Sequence, residues 1–321
     1  MAVMPGIDRA TSLPNSRDPV ALVVHKGDHS IGFYALPSGT ETGCIEVDRY
    51  PHELAISADG RLALVTHFGV ALAEHEGAGG NSVSVIDIEA RRRVARLDCG
   101  VHRRPHGIAL DSRGRVMVLS EATSHLLVFD HAIGGELRST HATGGRGAHM
   151  VTVTRNGSVA FCSNMLSGTV SVVDLDNGNA PPVVIAVGAR PEAAVLDDAE
   201  RRLYVVNRES GDVAVIDVAS RRVCDRIAAG GGPVRICWAD DGTLLVALYH
   251  ARELVRIDPA RHAVITRLPL PDAPISIAFD ALRDTVYMST LGQEVVAVDL
   301  PAARISGRFA TRADPDPVAL V

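Results

Sequence analysis

Short runs of alternating apolar and polar residues, separated by turn-forming clusters, fill almost the whole chain. Six segments share one layout: DGRLALVTHFG, RGRVMVLSEAT, NGSVAFCSNMLSG, ERRLYVVNRESG, DGTLLVALYHA and RDTVYMSTLG. Each is followed by a second run: NSVSVIDI, SHLLVFDH, TVSVVDL, DVAVIDV, ELVRIDP and EVVAVDL. A period of two bounded by Gly, Asn, Asp and Pro predicts antiparallel strands. Proline is absent from the interiors of these runs and frequent between them, as ladder hydrogen bonding requires.

The pattern repeats. A register marker at the start of one strand falls at Pro51, Pro105, Ala148, Pro191, Pro233, Pro274 and Pro317. Most intervals are slightly over 40 residues, the size of a four-stranded propeller blade. The first interval is longer because GVALAEHEGAGG (69–80) is inserted between two strands. The segment VALVVHKG (20–27) matches a second strand, and PVALV (317–321) matches an innermost one. The prediction is therefore an all-β, seven-bladed β-propeller over residues 19–321, preceded by an extension at 1–18. Its ring is closed by the C-terminal strand completing the N-terminal blade, which removes an open sheet edge.

The segments PHELAISADGRLALVT, SGTVSVVDL and RLYVVNRESGDVAVIDVAS resemble the YVTN-type propeller repeat over nearly the whole chain. That resemblance implies the propeller fold and a range of functions, lactonases and lyases among them. PHELAISADG (51–60) is also similar to the P-H-x-x-A-x-S-x-D-G stretch of cytosolic lactonase and cycloisomerase propellers, which implies metal-free lactone chemistry as one alternative.

Innermost strands of a propeller line its channel, so residues at equivalent repeat positions project onto one mouth. The position after the marker carries His52, His106, His149 and Glu192 in four consecutive blades, then Val234, Ile275 and Val318. Imidazole and carboxylate ligate Zn, Fe, Mn or Cu, so these four residues are the expected ligands of a divalent transition metal. Ordinary structural histidines at a strand start are the alternative. The end of the second strand offers His25, His67, Glu121, Asn164 and Asn207, with Tyr249 and His250 just beyond the sixth. His67, Glu121 and His25 are candidate proton-transfer groups. Asn164, Asn207, Tyr249 and His250 are candidate substrate contacts, although Asn here also suits a turn. Arg49, Arg104, Arg146 and Arg190 precede the first strand in the same arc and would hold a carboxylate or phosphate. The glycine-flanked insertion, with Glu74, His75 and Glu76, is a candidate lid.

Composition narrows the classes. A net charge of −6 without a basic face argues against nucleic acid as a partner. No apolar run reaches the roughly 18 residues of a membrane helix. The N-terminal residues lack a basic-then-apolar leader, and the five cysteines form no C-x-x-C pair, so a cytoplasmic protein is expected. No G-x-S-x-G elbow, Walker loop or haem motif occurs. The expected function is metal-dependent lyase, isomerase or lactone-hydrolase chemistry on a small carboxylate- or phosphate-bearing substrate. A metal-free lactonase and a non-catalytic binding propeller are the alternatives.

Overall fold

In the computed structural model, which describes residues 19–321 apart from 73 and 179, 28 strands form seven four-stranded antiparallel sheets. The expected extension at 1–18 lies outside the described residues. Blades 2 to 7 are sequential meanders whose first strand is innermost, and no helix forms among the described residues. Blade 1 is composite: Pro315–Leu320 pairs antiparallel with Val20–His25 as its innermost strand. Val20 and Val321 exchange both backbone hydrogen bonds, at 2.9 and 3.0 Å, which seals the ring.

There is no single central core. Seven apolar clusters lie one at each blade–blade interface. Leu22, Val24, Ile31 and Phe33 of blade 1 pack on Ala63, Val65 and Ile86 of blade 2, for example. The second and third strands are covered on both faces and read as continuous apolar runs. Outermost strands such as Arg92–Asp98 alternate and are largely exposed. Side chains at the channel are thus freed from making the core, and polar residues occupy them.

The innermost strands share a bulge. Pro51 pairs with His67 and Leu54 with Val65, leaving one extra residue on the inner strand. The same irregularity recurs at Pro105, Ala148, Pro191 and Pro233. It corrects one sequence assignment: in blade 1 Pro315, not Pro317, pairs with His25, and Val318 occupies the place of Leu54. The residue after the seventh marker is consequently Asp316, a buried acid, rather than Val318.

A chain shortened to end at Asp314 exposes the edge of Val20–His25. It is expected to melt lower by about 10 °C or more and to self-associate, as read by calorimetry and light scattering.

Candidate functional site

Six of the seven blades aim two residues at one mouth of the channel and blade 7 aims one, and one repeated hydrogen bond sets their places. The N–H just past the end of the second strand donates to the carbonyl oxygen of the residue before each marker. The pairs are Lys26 to Asp314, Phe68 to Tyr50, Glu121 to Arg104, Met165 to Gly147, Arg208 to Arg190, Tyr249 to Gly232 and Leu291 to Ala273, all between 2.8 and 3.0 Å. Tyr50, Arg104, Gly147, Arg190, Gly232 and Asp314 adopt positive φ to make this turn. Residues past the turn then face the mouth, while those one place earlier point into the blade.

The mouth is a cavity of about 350 Å³. An inner ring of His52, His106, His149, Glu192, Val234, Ile275 and Asp316 meets an outer ring of Lys26, Phe68, Glu121, Met165, Arg208 and Tyr249. Ala71, Leu72 and Glu74 of the insertion line it as well. His52, His106 and His149 stack in series, with ring centroids 4.1 and 3.8 Å apart. Only Gly107 allows this approach of neighbouring strands, since a β-carbon there would lie 2.4 Å from the His149 carbonyl oxygen.

His149 is held from both sides. Its Nε2 lies 2.8 Å from Glu192 Oε2 and its Nδ1 3.2 Å from Glu121 Oε2. Burial opposes its charge, but the Glu192 carboxylate and the two hydrogen bonds outweigh burial and raise its pKa to about 9. Burial alone would raise Glu192, yet the His149 charge and hydrogen bond, with Arg235 and Arg208, hold it at about 2. His106 donates Nδ1–H to the His149 carbonyl oxygen at 3.1 Å, which leaves a lone pair on Nε2. Burial, with His149 and His52 as neighbours, keeps it neutral, well below the ordinary histidine range. One ligand atom from each of His106, Glu121 and His149 can be chosen so that all lie within 4.8 Å of one another.

A second set of charges crosses the channel. The buried Arg235 guanidinium of blade 6 donates to Glu53 Oε1 of blade 2 at 2.6 Å. Lys26 Nζ pairs with Asp316 at 3.1 Å, and His52 Nδ1 lies 3.3 Å from the same carboxylate. Although burial opposes it, His52, Lys26 and Arg235 together hold Asp316 ionised, below its usual range. His52, Glu53 and His106 also cluster, but Arg235 already occupies Glu53.

The structure sorts the sequence candidates. His106, His149, Glu192, Glu121, Arg190 and Tyr249 come together at the cavity, and His52 stands beside them with Asp316. Glu121 lies with His106 and His149 in one group that could hold a metal ion, and His52 lies with Glu53 and His106 in another. His25 and His67 do not reach it. His25 bonds Ser30 and Tyr34, both at 3.0 Å, and His67 bonds Ser82 at 2.9 Å, so both clasp strands inside their blades. Asn164 and Asn207 do the same, the first to Thr169 and Ser171, the second to Asp212 and the Val187 carbonyl. Arg49 and Arg146 are exposed and lie one residue before the turn position, outside the cavity lining. Arg104 Nη2 instead donates to the carbonyls of His75 and Gly77, at 2.7 and 3.0 Å, and ties down the insertion. His250 is exposed and packs edge-on against Tyr249.

Sequence reasoning did not find Asp316, Glu53, Lys26, Arg208 or Arg235. The bulge also turns the second residue after the marker inward, and that position holds Glu53 and Arg235.

No family model matches the chain, and no curated protein matches it by sequence. By fold, 1722 solved chains resemble it, so the architecture alone does not select an activity. The periplasmic gluconolactonase PpgL of Pseudomonas aeruginosa aligns with a TM-score of 0.75 at 15% identity, over 95% of this chain and 99% of that one. Dihydro-heme d1 dehydrogenase NirN, in complex with DHE, aligns with a TM-score of 0.67 at 15% identity, over 95% and 77%. The propeller fold is shared with a lactonase, at an identity that speaks to fold alone.

Two predictions follow from the charges. Burial pushes His25 and His67 from 6.5 down to about 4. Below pH 6.5 the unfolded chain takes up these protons first, so stability is complete above that pH and falls as pH drops towards 4, by up to about 3 kcal/mol for each group. A His25→Asn/His67→Asn variant, carrying the residue that blades 4 and 5 use, is expected to lose less stability between pH 7 and 4.5 in urea titrations. Arg235→Met leaves Glu53 buried and unpaired, at a cost of about 3–5 kcal/mol, and adding Glu53→Gln is expected to recover part of it.

Proposed function

We propose that this propeller is a metal-dependent enzyme whose active site is the channel mouth. Its chemistry is of the lyase, isomerase or lactone-hydrolase kind, on a small carboxylate- or phosphate-bearing molecule. The observation that carries the reading is the cluster of buried His106 and His149 with half-buried Glu121. Its donors suit a divalent transition metal: one neutral imidazole with a free Nε2, one imidazole backed by a carboxylate, and one further carboxylate. Glu192 holds His149 from the Nε2 side, and its Oε1 has no hydrogen-bond partner. A Zn, Fe, Mn or Cu ion there would supply Lewis acidity towards a substrate carbonyl.

The chain's own residues supply the rest. Arg190 and Arg208 each stand 3.5 Å from Glu192 Oε1 and face the cavity. His52, whose Nδ1 lies 3.3 Å from Asp316 without forming a hydrogen bond, is the imidazole placed to move a proton at the other side of the cavity. Leu72 and Ala71 of the insertion add apolar surface at the rim of the site.

A metal-free lactonase-like enzyme is the second reading. The protonated His149 between Glu121 and Glu192 favours it, as an acid already in place. Metal analysis of the purified protein by inductively coupled plasma mass spectrometry separates the two. Near-stoichiometric metal, lost from a folded His106→Ala/His149→Ala variant and cut at least about tenfold in affinity by Glu121→Gln, is expected. Metal absent even after reconstitution, with lactone-hydrolysing activity retained, would transfer the assignment to the second reading.

A further inference from the structure

The two halves of the cavity differ in chemistry. Blades 1 to 5 present the acids, the imidazoles and most of the cations, whereas blades 6 and 7 present the hydrocarbon of Val234 and Ile275, and the one cation there, Arg235, is committed to Glu53. Met165 of blade 4 and Phe68 and Leu72 of blade 2 add apolar surface to the opposite half. At the seam between the halves, the Arg208 guanidinium lies 4.2 Å from the centroid of the Tyr249 ring. Stacking on a ring fixes the plane of a guanidinium and leaves its edge donors to a ligand.

The cations at this seam are not saturated. Arg190 and Arg208 share one oxygen, Glu192 Oε1, at 3.5 Å each, neither contact meets hydrogen-bond geometry, and the other carboxylate beside Arg190 is that of the exposed Glu209, at 3.7 Å. Arg190 Nε is buried without a hydrogen-bond partner. By contrast, Lys26 and Arg235 each hold a close carboxylate, at 3.1 and 2.6 Å. An anion entering the mouth therefore finds unused donors on Arg208 and Arg190, with an apolar wall beside them.

We propose that the substrate is a compact carboxylate with an apolar body. Its carboxylate seats on Arg208 and Arg190, and its hydrocarbon part lies against Tyr249, Val234 and Ile275. A polyhydroxylated sugar acid of similar size does not suit this wall, because hydroxyls laid against Val234 and Ile275 would be buried without partners. The fold shared with a gluconolactonase thus does not extend to a sugar-shaped pocket. This inference rests on the channel mouth being the substrate site, as proposed above, and refines which substrate it takes.

Benzoate and gluconate carry the same charge and differ in the body, so they serve as probes. Each is titrated calorimetrically into the full chain, as purified and after metal removal with EDTA. Benzoate is expected to bind at least about tenfold more tightly than gluconate. Arg208→Ala is expected to weaken benzoate at least about tenfold, and Arg208→Lys by less. Val234→Ser, which leaves the cations in place, is expected to narrow the preference over gluconate. Metal content is measured on every variant. Gluconate binding as well as benzoate, benzoate binding indifferent to Arg208, or no binding of either probe overturns the inference. Benzoate bound with the expected preference by a protein that holds no metal sustains it while removing the metal reading; a metal-loaded protein that ignores benzoate does the reverse.

Discussion

One backbone hydrogen bond, made once in every blade, sets the geometry of the mouth. The N–H just past the end of the second strand reaches the carbonyl just ahead of the innermost strand. Satisfying both groups requires a turn that six of the seven blades enter through a residue at positive φ. The bulge that follows lets the inner strand present its first residues to the channel while the ladder behind it resumes in register. Rings of side chains with unrelated chemistry can then be exchanged blade by blade without disturbing the apolar clusters between blades.

The mouth is electrostatically ordered rather than merely polar. Arg235 reaches across the channel to Glu53, and Lys26 holds Asp316, so the acids on that side have cationic partners. On the other side Glu121, Glu192 and His149 form a tight acid–base group with two guanidinium groups at its margin. Paired buried charges are costly to assemble and rigid once made. The imidazoles between them are consequently held in fixed stacks, with His106 committed to one tautomer by the carbonyl it donates to.

Blade number, ring closure and the arc of His52, His106, His149 and Glu192 were legible in the sequence, because strand periodicity and turn residues are local. What was not legible depended on single-residue register. The segment DPDPVAL offers two prolines two places apart, and a period of two cannot choose between them; only the bulge, a backbone event, makes Pro315 the marker and brings Asp316 inward. His25 and His67 end their strands as polar residues, yet the strand face turns them into the blade, and the mouth takes their successors Lys26 and Phe68. Glu121 was found by alignment with His67, although the true equivalent is Ser120, which pairs with Pro105. Arg235 and Glu53 escaped notice because their partnership spans 182 residues and three blades, and no local pattern announces it.

The composite first blade carries a consequence in time. Val20–His25 leaves the ribosome first among the strands and Pro315–Leu320 last, and Lys26 waits for Asp316 across 290 residues of synthesis. Until then Lys26 has no such buried partner and His52 lacks its neighbouring carboxylate. The mouth is therefore assembled only after every other blade has been made, and a partly synthesised chain has no finished site with which to capture ligand.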